Sequence, residues 1–87
     1  MKQNVIKTTA IFRCIVTFKD GAHKIIRMTI DKVAHFVYLF RQQERNIFVN
    51  ETCLFEMCEN EWLCMSSVAG AKFINDRTDQ EFLSISL

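Results

Sequence analysis

The run TAIFRCIVTFKDGAHKIIRMTI, residues 9–30, restricts the fold of this chain more than any other stretch. Two segments rich in β-branched and aromatic residues flank Asp20-Gly21, which is a hairpin signature. The faces of the strands select the turn. A two-residue Asp20-Gly21 turn pairs Val16 with Ile25 and leaves both faces a mixture of apolar and basic side chains. A three-residue loop, Lys19-Asp20-Gly21, with Gly21 left-handed in a bulge, pairs Phe18 with Ala22, Cys14 with Ile26 and Phe12 with Met28. Ala10, Phe12, Cys14, Val16, Phe18, Ala22, Ile26, Met28 and Ile30 then share one face, on which Lys24 is the sole charge. A slip of one residue inverts a strand, so this consistency argues for the three-residue register.

The hairpin leads directly into DKVAHFVYLFRQQERN. Val33, Phe36, Val37 and Phe40 recur at i, i+3, i+4 and i+7, which predicts a helix over roughly 31–45 with its apolar stripe on the sheet. Asp31 suits the N-cap, Arg41 and Arg45 the last turn, and Asn46 a left-handed exit. Tyr38 and Leu39 fall beside the stripe, as flanking core or as partner contacts.

Beyond the helix the chain reads as strand. NIFVN (46–50) suggests a short one, and ETCLFEMC and EWLCMS form a second hairpin around Glu59-Asn60. Across the polar DRTDQ loop, Phe73 pairs with Leu83 and Ala71 with Ile85, which keeps one apolar face. The expected fold class is α+β: a single small domain, 1–87, with residues 1–8 frayed. A mainly antiparallel sheet carries one helix on one face, in the order β-β-α-β-β-β-β.

With 87 residues and no composition break, one domain is expected. A chain of this size buries only roughly 60–65% of its unfolded surface. Yet 49% of its residues are hydrophobic, more apolar material than a small domain easily hides. The excess points to self-association or a partner surface. The longest apolar run, FVYLF (36–40), is far too short for a membrane span, and the first residues lack the apolar core of a leader peptide. The expectation is a cytoplasmic protein with reduced thiols and no membrane contact.

Three of the four cysteines, Cys53, Cys58 and Cys64, fall within fifteen residues. A zinc site needs four converging ligands, usually delivered by C-x₂₋₄-C, with sulfur at about 2.3 Å. Here the spacings are C-x₄-C and C-x₅-C. Residues five apart face opposite sides of a strand and diverge by about 140° on a helix. The two-residue turn at Glu59-Asn60 sets Cys64 beside Phe55, Met57 and Trp62, a core setting. A metal or redox protein through Cys53, Cys58 and Cys64 is therefore the third reading, and no metal or cofactor is expected.

Catalysis lacks a constellation. Cys14 and His23 face opposite sides in the chosen register, and Asp31 with His35 forms an isolated i, i+4 pair with no nucleophile in reach. No P-loop, dinucleotide fingerprint, G-x-S-x-G or H-E-x-x-H is present, and two glycines cannot build a phosphate cradle. The chain reads as non-enzymatic.

Charge is sorted along the sequence. Residues 1–45 hold nine Lys/Arg against three acids, and residues 46–87 hold two against seven. On the non-core face of the first hairpin Arg13 stands opposite Arg27, around Ile15 opposite Ile25, with Lys19 and His23 nearby. Two arginines face to face require an anion: phosphate, a partner's acidic surface, or the chain's own Glu51, Glu56, Glu59 and Glu61. The overall pI of about 7.7 and the lack of a stacking aromatic weigh against nucleic acid. An apolar pair rimmed by charge resembles an interface centre. The expected function is accordingly a small intracellular interaction protein, a modulator or inhibitor of a larger protein. It would bind a protein partner or a second copy, as a homodimer, through Arg13, Ile15, Lys19, His23, Ile25 and Arg27. The alternative is a nucleic-acid-binding domain that uses the same basic face.

Overall fold

The computed structural model describes residues 10–44 and 53–87. Strands β1 (Ile11–Phe18) and β2 (His23–Thr29) lead straight into helix α1 (Ile30–Glu44). Then follow β3 (Leu54–Cys58), β4 (Glu61–Cys64), a 3-10 turn (Met65–Ser67), β5 (Val68–Asn75) and β6 (Glu81–Ser86). All pairings are antiparallel. The α+β class and the expected element order both hold.

The strands form two sheets rather than one. The larger has the order β2-β1-β5-β6, and β3-β4 stands apart as a two-stranded ribbon. The chain returns from the ribbon through the 3-10 turn, where the Lys19 N–H donates to the Ser67 carbonyl. β5 then lies against β1, a long-range pairing that no local pattern announces. The strand expected at 46–50, the fraying expected over 1–8, and Arg45, Asn46 and Glu51 fall outside the described residues.

The first hairpin has the register its faces demand. Phe12 pairs with Met28, Cys14 with Ile26 and Ile15 with Ile25. The Phe18 N–H donates to the Ala22 carbonyl at 2.8 Å, and Gly21 takes φ +93°, as the three-residue bulged loop requires. β1 lies between β2 and β5, so Cys14 and Val16 are fully buried. The pairs Ala71–Ile85 and Phe73–Leu83 also form as expected.

Helix α1 starts one residue early, which puts Asp31 inside the first turn rather than at the cap; its carboxylate still meets the positive end of the helix. Val33, Phe36 and Phe40 are buried, and Leu39 joins them while Val37 is half-covered. The inward face is thus rotated slightly from the simple stripe. Tyr38 stays exposed. Phe36 is the hinge of the core. Its ring meets Phe73 of the large sheet edge-on at 5.6 Å and Phe55 of the ribbon at 5.1 Å. Each such contact contributes about 0.5–1.5 kcal/mol beyond area burial. Through Phe36 the helix touches both the ribbon and the large sheet.

The ribbon departs from expectation. Cys58 pairs with Glu61, but Glu56 pairs with Trp62, Phe55 with Leu63 and Leu54 with Cys64. Met57 has no partner and forms a bulge. That single extra residue reverses the faces assigned from the two-residue turn. Leu63 goes in beside Phe55, Trp62 goes out, and Cys64 leaves the core setting for a half-buried one.

Candidate functional site

With α1 on one side of the large sheet, the opposite side carries the residues singled out from the sequence. The paired strands set Arg13 beside Arg27 and Ile15 beside Ile25, and β5 adds Ile74 next to Arg13 and Lys72 next to Ile15. Ile25, on the edge strand, is 59% exposed, while Ile15 is half-covered by its neighbours. His23 stands at one end of the strip, with Lys19 in the adjoining loop. Arg13 and Arg27 stand at the other end.

The two arginines are neutralised within the chain, but not by the glutamates the sequence suggested. Arg13 Nε lies 3.0 Å from Asp76 Oδ1, and a terminal guanidinium nitrogen reaches the Asp79 carboxylate. Arg27 Nε lies 3.6 Å from Asp76 Oδ2. Asp76 therefore sits between two facing cations and relieves their repulsion. The cause is topological: because β5 pairs with β1, the β5–β6 loop arrives over the start of β1, where the Asp76 N–H donates to the Ile11 carbonyl.

The loop is pre-shaped for this. The Asn75 side-chain carbonyl accepts the N–H groups of Arg77 and Thr78. The Asp79 N–H closes onto the Asn75 carbonyl, with Asp79 itself at φ +64°. Aspartate tolerates that conformation better than most residues. The sequence signal that was missed is the Asn-Asp pair opening NDRTDQ, an Asx-type turn with a second aspartate three residues after the first.

At the His23 end the face sinks into a shallow depression of about 430 Å³, bounded by Ile15, Thr17, His23, Lys72 and Ser84. Gly70 explains it. A Cβ there would sit 2.7 Å from the Ile85 carbonyl oxygen, so only glycine allows β6 to approach β5 this closely. Small residues then leave the space empty.

A second concavity, of about 300 Å³, was not foreseen. Asp31, Lys32 and His35 of α1 face Leu54, Glu56 and Trp62 of the ribbon across it. Lys32 Nζ donates to the Glu56 carbonyl at 2.9 Å and lies 5.6 Å from the Phe55 ring centroid. His35 lies alongside Phe55 at 6.0 Å between centroids. Trp62 is 55% exposed at its rim. Only recognition of the Met57 bulge could have found this cleft in the sequence.

The thiols separate. Cys14 is buried, and desolvation pushes it up to about 12. Burial, with a smaller effect of Cys64, raises Cys53. Cys58 is exposed, and the adjacent Glu61 carboxylate raises it, partly opposed by Lys24 and Lys32. Those two lysines bring basic side chains of β2 and α1 towards the acidic ribbon. Cys64 is lowered by its hydrogen bond with Ser66, at 3.0 Å between Sγ and Oγ. Among the described residues, no three His, Cys, Asp or Glu side chains gather as a metal site. Among them too, no helix is long and apolar enough to cross a membrane.

Comparison of the chain with protein-family models, with curated proteins and with solved structures gives no match.

Proposed function

We propose that this chain is a non-enzymatic interaction domain that binds a protein partner through the helix-free side of its large sheet. Ile15 and Ile25 form the contact centre, and Arg13, Arg27, Lys19 and His23 form its rim. The observation that supports this most directly is the state of that face. An isoleucine stands 59% exposed beside a second one, while Arg13 is held in place by Asp76 and Asp79. An apolar centre with an ordered polar rim is the usual anatomy of a protein interface. Rim side chains fixed before binding lose little further freedom when a partner arrives. The internal carboxylates also draw the reading away from phosphate, because Arg13 meets two of them and Arg27 one. A role as stand-alone modulator of a larger protein, in a reducing compartment, accords with four unpaired thiols.

The test is native mass spectrometry of the chain recovered from its host, as wild type and as Ile25→Glu. Ile25 is exposed, so the variant should fold. Its partner complex should weaken at least about tenfold, which corresponds to 1.4 kcal/mol. An Ile25→Glu chain that keeps every association would refute the reading. Association that falls steeply and linearly in log salt would give the face to nucleic acid instead.

A further inference from the structure

We propose that two copies of this chain join edge to edge through β6, antiparallel about a two-fold axis at Ile85, so that two four-stranded sheets become one of eight. This surface is distinct from the outer face and independent of the reading given above.

Among the described residues, the large sheet ends in two edge strands, β2 and β6. Their free edges are guarded differently. β2 carries His23, Lys24 and Arg27 within seven residues, the charged pattern that keeps edges from pairing. The one charged side chain of β6, Glu81, lies at its bulged end, and from Phe82 to Leu87 there is neither a charged side chain nor a proline. Among the described residues, no strand lies on its far side.

The backbone bonds show what this edge offers. The Leu87 N–H donates to the Ala69 carbonyl at 3.0 Å, and Ile85 and Leu83 stand opposite Ala71 and Phe73. Antiparallel ladders alternate, so residues 83, 85 and 87 direct their N–H and C=O groups to β5. The groups of Ser84 and Ser86 point away from the sheet. Phe82 is the extra residue of a bulge that pairs Ile74 with Glu81, and the bulge ends the regular edge on that side.

A two-fold axis at Ile85 sets Ser84 opposite Ser86 of the second copy, and Ser86 opposite its Ser84. Both outward N–H groups and both outward carbonyls of each copy then find partners. On one face the register sets serine against serine. On the other it sets Ile85 against Ile85 and Leu83 against Leu87. Leu87 is 64% exposed in the single chain, and this pairing covers it. No charged side chains meet in this register, whereas β2 paired with itself about Ile25 would leave Lys24 and Arg27 of both copies along the seam. The second copy is thus the occupant whose donors, acceptors and apolar positions match this edge one for one.

The test is sedimentation equilibrium of the full chain over a dilution series, for wild type, Ser84→Pro, Leu87→Lys and Ile25→Lys. Wild type should approach twice the chain mass on concentration. Ser84→Pro removes an outward donor but no bond to β5, so it should stay monomeric and folded. Leu87→Lys acts on an exposed side chain at the end of the strand. It should weaken the dimer at least tenfold even if the proline variant does not fold. Ile25→Lys, on the outer face, should dimerise as wild type does. A wild-type chain that is monomeric throughout would overturn the proposal. So would a dimer that Leu87→Lys leaves unchanged, or one that only Ile25→Lys dissolves.

Discussion

The two hairpins of this protein are built from similar material and reach opposite degrees of regularity. β1–β2 turns through Lys19-Asp20-Gly21, with glycine at the left-handed position, and every pair from Ile11–Thr29 to Thr17–His23 is in step. β3–β4 turns through Glu59-Asn60, with Asn60 at φ +64°, and loses step after one pair because Met57 bulges out. The difference lies in what each face must do. The first hairpin packs against α1 on one side and is flanked by β5, so a slip would expose a whole row of core residues. The ribbon needs only Phe55, Leu63 and the flanking Cys53 and Met65 inside. A bulge that delivers those four is as good as a regular ladder. Register is strict where a strand has many buried positions and pliable where it has few.

The sharpest way to break the comparison is to delete one strand residue next to each turn. Removal of Thr17 puts Cys14 opposite Ile25 and sets the faces of β1 and β2 against each other. The cost should exceed the roughly 5 kcal/mol by which small domains are stable. Circular dichroism should then show no cooperative melt. A folded ΔThr17 chain would mean that the register of β1 is not decisive.

A second contrast lies in the thiols. Cys14 has a pKa of about 12 in the fold against 9.0 for the free thiol. The folded chain keeps the neutral form, so this contribution is complete below pH 9 and is lost as pH rises from 9 towards 12. The loss is about 1.4 kcal/mol per pH unit in that window. Urea melts of wild type and Cys14→Ala at pH 8 and pH 10.5 should show a steeper alkaline loss for wild type. Equal slopes would refute the assignment to Cys14. The exposed Cys58 contributes no comparable burial effect.

The smallest effect should come from removal of Met57. Its deletion erases the bulge yet keeps Phe55 opposite Leu63 and Glu56 opposite Trp62. The cost should be about 1 kcal/mol, from a half-buried methionine. Trp62 fluorescence should keep its solvent-exposed emission. A marked blue shift would show that the bulge alone holds the tryptophan out.

Much of this architecture was legible in the sequence because the signals were local. The Asp-Gly turn, the 3.6-residue spacing of Val33, Phe36 and Phe40, and the alternation around Phe73 and Leu83 each lie within one element or one hairpin. What escaped was non-local or too small to see. The pairing of β1 with β5 leaves no mark in either strand, so the counter-ions of Arg13 were sought among the glutamates and found in Asp76 and Asp79. The Met57 bulge is one residue, and it moved Trp62 from the expected core to the surface. The outer-face residues were nevertheless placed on one side of the sheet, as their alternation required.

Gly70 ties two properties of the molecule into one variable. The absence of its side chain sets the distance from β5 to β6, and the same absence hollows the outer face beside His23 and Lys72. Any larger residue would push against the Ile85 carbonyl and fill the hollow in the same stroke. The contour of that surface and the spacing of the sheet beneath it can therefore vary only together.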